Sequence, residues 1–545
     1  MLKMTRRFFY SLLLLLFVGV QQSYSQADDS GELEEPDFVY LLNADEIRFD
    51  QYINPDAQRL IGNVIFRHDS MYLYCDSALF YQDRNSFNAY HNVRVEQGDT
   101  LFMYGDSLFY DGTTRFLKVR DNVRLENTSM VLLTDSLNYD REFGLGWFFR
   151  GGTLMDGEST LISQYGEFDT NTKLATFIDG VTLESPDYKL WTDTLEYNSG
   201  LHEAYLVCPS RIVSDETTIN SSRGTFRTDS GSAVLLDRSV VTRESDDAVF
   251  TADSIIYEKD DMLISGYGNA VVNDLKDKMD VYGDYVFYDR NIDSALVTGN
   301  ALVIEYSQED SLFAHADTFM LQTIYNEAGD SVTDRLVKAY NKVRLFRPDV
   351  QAVADSLQYQ MSDSSITLYN DPIIWSEHQQ ILGEKIILYI KDKTVDWADI
   401  VGQALYVQEI DTIHYNQMSG REMKAWFKMG ELDRTQIQGN VECVFYAQEA
   451  DSTLVGMNTT TANLMNIYFV QGAVDHIMVE GRSNGIMYPM SQLERNKMYL
   501  STYNWFDFIR PLSREDVFVW RGKRVEQQLK KNAMSKPVPL PKLKK

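Results

Sequence analysis

The chain has 545 residues, 44% of them hydrophobic, with 80 acidic against 51 basic side chains and a formal charge of −29. That length allows several domains or one long repeat structure, and the acidity argues against a nucleic-acid role, because phosphate binding needs a basic face. The three cysteines, Cys75, Cys208 and Cys443, are odd in number and far apart, so they make neither a disulfide framework nor a zinc-ligand cluster.

Residues 1–25 carry Lys3, Arg6 and Arg7, then the apolar run from Phe8 to Val20, then Ser23-Tyr24-Ser25 ahead of Gln26. This order predicts a secretory signal peptide cleaved near Ser25/Gln26. Its removal takes the formal charge from −29 to −29 − 3 = −32. No later segment is long and apolar enough for a membrane-spanning helix. The acidity itself reads as solubility, or more sharply as steering of a cationic partner.

Residues 26–60 read as a lead-in. Beyond them a phrase recurs: YGDSLFYD at 104–111, LTDSLNYD at 133–140, WTDTLEYN at 191–198, TADSIIYE at 251–258 and VADSLQYQ at 353–360. Asp76, Asp106 and Asp135 are spaced by 30 and 29 residues, and Asp193, Asp253, Asp284, Asp317 and Asp355 continue the series near one or two such periods. A period of this size signals a repeat fold. A small residue precedes each acid, and apolar residues alternate on both sides of it, as in a strand. Leu132 and Thr134 share a face, yet the next apolar pair is Leu137 and Tyr139, an odd step later. The strand must therefore bend or bulge at Asp135-Ser136, where short polar side chains can bond backbone groups that lose ladder partners. Asp106-Ser107 is on this reading a corner in the chain and not a catalytic pair, and Cys75 is a buried spacer in the small column.

A second phrase alternates with the first: GNVIF (62–66), HNVRV (91–95), DNVRL (121–125), DGVTL (179–183), GNAVV (268–272), GNALV (299–303), NKVRL (341–345) and GNVEC (439–443). Gly, Asn and Asp open it as turn or bulge formers, and apolar and polar residues alternate afterwards. Pairing the two phrases centres hairpin turns at residue 128, at Pro186 and between Arg347 and Pro348, where proline's missing N–H is tolerated. Each period is thus a long hairpin whose arms both bend at mid-length. Stacked hairpins give two sheets sharing a spine of small residues, with the apolar faces turned between them. The pattern covers 61–405 and continues more loosely over 406–487. A C-terminal segment with short helices follows at 488–529, where Ser513 and Asp516 form a loose capping box. Residues 530–545 read as a basic disordered tail, either solvated or drawn to lipid phosphates or an acidic partner.

The alternation of the two phrases from roughly Gly62 to Val474 resembles the OstA-like, or LptA-like, family of organic solvent tolerance proteins, which includes the periplasmic lipopolysaccharide transport bridge. The resemblance implies an all-β, elongated, twisted and V-shaped β-jellyroll. Its apolar trough would hold lipopolysaccharide acyl chains in the periplasm, with protomers joined edge to edge towards the outer membrane. It also implies an inner-membrane transporter component and an outer-membrane translocon as edge-strand partners, with head-to-tail self-association. This chain departs by being about three times as long as one such domain. It also lacks the long C-terminal series of membrane strands of the family's translocon.

The inward positions expected to line the trough are Val64, Phe66, Leu73, Val93, Val95, Leu101, Met103, Val123, Leu125, Met130, Leu132, Val181, Leu183 and Leu190. Each is equally readable as ordinary core. A carrier of acyl chains needs such a lining, because each exposed methylene costs about 0.8 kcal/mol. The seven histidines, His68, His91, His202, His315, His378, His414 and His476, are isolated and show no metal-ligand spacing. There is no Gly-rich phosphate loop and no nucleophile elbow. No cofactor and no enzymatic chemistry are expected. Two rivals stay open: a structural or adhesive β-solenoid, whose interior would be sealed, and a carbohydrate-active β-solenoid enzyme, which would show a cleft with paired carboxylates.

Overall fold

The computed structural model describes residues 38–99, 101–127, 130–214, 217–326, 331–428, 431–449, 453–470 and 473–521. The expected signal segment, the turn centre at residue 128 and the basic tail lie outside them. Among the described residues there are 38 strands, paired antiparallel, and six 3-10 turns of three residues each, with no α-helix. The fold is the all-β jellyroll that the alternation requires. The chain divides into two compact units, Met1–Leu117 and Lys118–Lys545.

In the first unit, Gln58–His68, Met71–Tyr81, Ser86–Gln97 and Leu101–Asp111 follow one another as an antiparallel meander. Residues of the lead-in join it, because Tyr40–Asn43 and Glu46–Phe49 both pair along Gln58–His68. The bend lies where the parity argument puts it, but the extra residue belongs to the other phrase. Asp76 faces Gly62-Asn63 on one neighbouring strand and His91-Asn92 on the other. All four of those residues have positive φ, between 47° and 77°.

The carboxylate's role also differs from the expectation. It accepts from the bulge's own amide: Asn92 Nδ2 donates to Asp76 at 2.7 Å, and in the second unit Asn269 donates to Asp253 at 2.8 Å and Asn300 to Asp284 at 3.0 Å. This explains the Gly-Asn opening. Gly268 sits at φ +73°, and a Cβ there would lie 2.7 Å from the Asp253 carboxylate. Asparagine follows because it tolerates the left-handed region and supplies the donor.

The same corner recurs where the acid is replaced. Gln164 donates its backbone N–H to Asp179 at 3.1 Å, and Glu384 donates to Gly402 at 2.9 Å, as Asp45 does to Gly62 and Asp284 to Gly299. Asp45, Gln164 and Glu384 were not legible as repeat members, because the first lies in an incomplete copy and the other two are not aspartate.

The meander of the second unit has its hairpin turns where proline places them. Ser185 pairs with Tyr188 around Pro186-Asp187, and Arg347 pairs with Val350 around Pro348-Asp349. Towards the end the strands lengthen, to 14 residues in Tyr415–Lys428 and 18 in Glu431–Gln448. Ala473–Glu480 and Asn484–Pro489 both pair with Leu454–Val470. Residues 490–521 then leave the sheet as an irregular strap with four short 3-10 turns.

Candidate functional site

Among the described residues, the bulges of the long strands and the breaks between short ones recur at one column, so each unit consists of two half-sheets whose inward faces oppose each other. What fills the space between them decides what the fold can hold. In the first unit it is aromatic. Phe66 from one half-sheet is 1% exposed and stacks on Phe87 from the other, with ring centroids 4.1 Å apart. Phe80 adds a tilted ring at 5.4 Å. At the mouth, His68 Nδ1 and the Tyr110 hydroxyl share a hydrogen bond of 2.6 Å, both side chains being buried. The interior of residues 58–111 is therefore closed by its own side chains.

The second unit begins the same way. Tyr188 packs edge-on against Phe226 across the mouth, with centroids 4.6 Å apart. Two polar bridges join the hairpin tips: Tyr197 Oη donates to Asp156 at 2.9 Å and Lys259 Nζ donates to Asp187 at 3.0 Å. They border a cavity of about 340 Å³ that Glu158, His202 and Asp229 also line.

From residue 263 onward the filling changes. The residue before the acid is small as in every copy, but the second phrase now also places small residues at the spine, as in Ala270 and Ala301 where earlier copies carry Val64, Val93, Val123 and Val181, and these stay buried. The inward residues nearer the mouth are aliphatic and only half-buried, as in Ile264, Val281, Val303, Leu321, Leu345 and Leu388. No aromatic pair spans the mouth among the described residues of this stretch. From Ala398 the interior is full again, with Ile400, Tyr406, Met418, Met423, Ile437 and Met465 all buried. Within the second unit, residues 263–388 thus form an apolar groove with one open side, between two closed stretches.

Of the fourteen positions expected to line a trough, eleven are buried and three, Leu101, Leu125 and Met130, are half-buried. All face inward, but all lie before the open groove. The signal for the open stretch is present in the sequence as alanine in the second phrase, Ala270 and Ala301, where earlier copies carry Val64, Val93, Val123 and Val181. Reading it required knowing that the bulge sits in the Gly-Asn strand, which sets the inward parity. The cysteines are free thiols, and burial pushes Cys75 and Cys443 up to about 12. Among the described residues no group of His, Cys, Asp or Glu could hold a metal ion.

The strap covers the outer face of one half-sheet, behind the end of this groove and behind the closed stretch that follows it. Outward residues are normally wet, yet here Val444, Tyr446 and Met457 are buried under Met498 and Leu500, and Ile373 and Trp375 under Phe506 and Ile509. Between them Leu405, Val407 and Tyr415 meet Tyr499, Tyr503 and Trp505. Two buried glutamines act as substitutes for a neighbouring strand. Gln417 Nε2 donates to Met498 O at 2.8 Å while its Oε1 accepts from Leu500 N at 2.8 Å. Gln380 repeats the arrangement with Asn504 O at 2.9 Å and Phe506 N at 2.8 Å. The expected capping box is present in reduced form: Ser513 Oγ accepts from Asp516 N and Asp516 Oδ2 accepts from Leu512 N.

At the far end of the strap, Phe518 lies against His315, ring centroids 4.8 Å apart. Burial, then the neighbouring Arg344 cation, pushes the His315 imidazole down to about 4. Folding therefore holds it neutral where the unfolded chain protonates it. Its contribution is complete above about pH 6.5, falls as pH drops, and is lost by about pH 4. Thermal melting between these limits is expected to fall with pH, and His315→Gln is expected to flatten that dependence. An unchanged slope in the variant would assign the acid sensitivity elsewhere.

The comparisons with known proteins bear on one part of the chain. Residues 36–193 match the family of OstA-like proteins. No curated protein matches the chain. Among solved structures the chain is similar to LptH, the LptA-homologous periplasmic component of the conserved lipopolysaccharide transport device from Pseudomonas aeruginosa. That similarity has 10% identity and a TM-score of 0.17, and covers 18% of this chain and 76% of that one.

Proposed function

Residues 36–193 being OstA-like, we propose that this chain is a periplasmic lipopolysaccharide-transport protein that holds acyl chains in its apolar interior on their way to the outer membrane. The observation that carries this reading is the groove at 263–388, where small spine residues and half-buried aliphatic walls leave apolar surface accessible inside an otherwise filled fold. Such a surface is stabilised by covering it, and acyl chains cover it without a polar cost. The fourteen inward positions from Val64 to Leu190 belong to the same proposal, each as part of the interior wall of its own unit. They would need to part before lipid could enter.

The end strands are the proposed docking points, since an edge strand presents unpaired backbone groups. Tyr40–Asn43 and Glu46–Phe49 carry the exposed residues Leu42, Ile47 and Phe49, a surface for an inner-membrane component or a second copy. Ala473–Glu480 and Asn484–Pro489, with Met478, Ile486 and Met487 exposed, would meet the outer-membrane translocon. The closed stretches favour a second reading, a structural β-solenoid with no ligand.

Photocrosslinking in cells separates the two. Val281 and Val303 face inward and are directly paired, whereas Asp280 and Ile304 beside them face outward. A photoreactive residue at the first two positions is expected to yield lipopolysaccharide adducts, and at the second two none. Equal labelling at both pairs, or none in a folded exported protein, would leave the solenoid reading standing.

A further inference from the structure

Beneath the end of the strap lies an arrangement that the groove does not use. His315 and Arg344 are directly paired across neighbouring strands, on the outward face. They are 5% and 3% exposed. Arg344 Nε and Nη1 and His315 Nδ1 have no hydrogen-bond partner among the described residues, although a backbone group of Ala301 also approaches the imidazole. A buried guanidinium left unpaired is costly. The indole of Trp520 covers it, with the guanidinium carbon 5.3 Å from the ring centroid. That contact meets the cation's face and leaves the N–H groups of Nε and Nη1 unanswered.

The surrounding charges do not cancel it. Lys342 takes Asp317 at 3.1 Å and Arg521 takes Asp516 at 3.3 Å. Three cations thus stand against two carboxylates that are both engaged, in a chain whose net charge is −29. A local excess of positive charge with free, directed N–H groups is a receptor for an anion. An oxyanion with several acceptor oxygens can take more than one of those groups at once, which a single carbonyl cannot.

We propose that Arg344, with His315 beside it and Lys342 at the rim, binds a phosphate group, supplied either as free phosphate or by the headgroup of a phosphorylated lipid, when residues 517–521 lift from the sheet. This site is independent of the groove, being on the opposite face of the same strands. The strap is fixed at its other end by the satisfied Gln380 and Gln417 pairs, so lifting begins at Trp520.

The test is calorimetric titration of the full chain with inorganic phosphate at constant ionic strength, against chloride and acetate. Parallel titrations use micelles of a phosphorylated glycolipid and of its dephosphorylated form. Saturable binding of inorganic phosphate marks a free-anion site, and binding of the phosphorylated lipid alone marks a headgroup site. In either case Arg344→Met is expected to weaken binding by about tenfold or more, a loss typical of one charge-assisted contact. Arg344→Met is also expected to melt higher than the wild type in phosphate-free buffer, because it removes the unpaired charge and keeps the packing on Trp520. Arg344→Lys, which keeps the charge without the planar fork, guards against a folding defect and is expected to bind with intermediate strength. Phosphate no better than chloride, acetate bound in its place, or binding that survives Arg344→Met would overturn the proposal.

Discussion

Phe66→Ala is expected to destabilise the first unit by about 3–5 kcal/mol, the range for deleting a fully buried phenyl ring and leaving a cavity. The ring loses its stack on Phe87 and its tilted contact with Phe80, and nothing nearby is free to move in, since Tyr110 is held by His68. Ile264→Ala, at an inward position of the open groove, is expected to cost only about 1–2 kcal/mol, because the side chain is already half-exposed and little cavity forms. Urea titrations read by hydrogen exchange within 58–111 and within 263–388 would measure the two. Similar losses at both sites would mean that the groove is as tightly packed as the first unit, and the open side would lose its support. The comparison matters because it tests the contrast between filled and open interior with stability alone, without any ligand.

Much of this architecture was readable from period and parity. The odd apolar step from Thr134 to Leu137 required a corner, and Pro186 and Pro348 marked two turns that the strands confirm. The exchange of partners at the corner was not readable. A bulge lengthens one of two strands, and the flip in parity at Asp135 cannot tell which, so side-chain alternation alone points to the Asp-Ser phrase as the site of the extra residue. Positive φ at successive residues such as His91 and Asn92 settles it, and it is a property of backbone conformation that no alternation of side chains encodes. The open groove was missed for a related reason. Hydropathy ranks Ala270 or Ala301 as unremarkable, whereas their effect lies in the volume they leave unfilled between facing sheets. The strap was hardest to see, since Trp375, Val407 and Tyr446 fall on the polar face of the alternation. They break it individually, and only a segment well further along the chain, residues 498–509, explains them.

Removing the strap's central anchor is expected to have the second largest effect. Trp375 is fully buried on what would otherwise be a wet face, packed against Phe506 and Ile509, and its Nε1 donates to Gln380 Oε1 at 3.2 Å. Trp375→Ala should cost about 3–5 kcal/mol from cavity formation. It should also loosen Gln380, whose amide alone answers Asn504 O and Phe506 N. Gln380→Ala keeps the indole and leaves those two strap groups without partners, an expected loss of about 1–3 kcal/mol. The two substitutions share one network, so the double variant should fall short of the sum of the single ones. Hydrogen exchange at residues 498–506 reads the consequence directly: both variants should raise exchange there while the strands 398–437, held by their own ladders and inward core, remain protected. If exchange rose equally in strap and sheet, the strap would be an integral layer of the core and not a separable cover, and a lifting motion at Trp520 would have to carry the sheet with it.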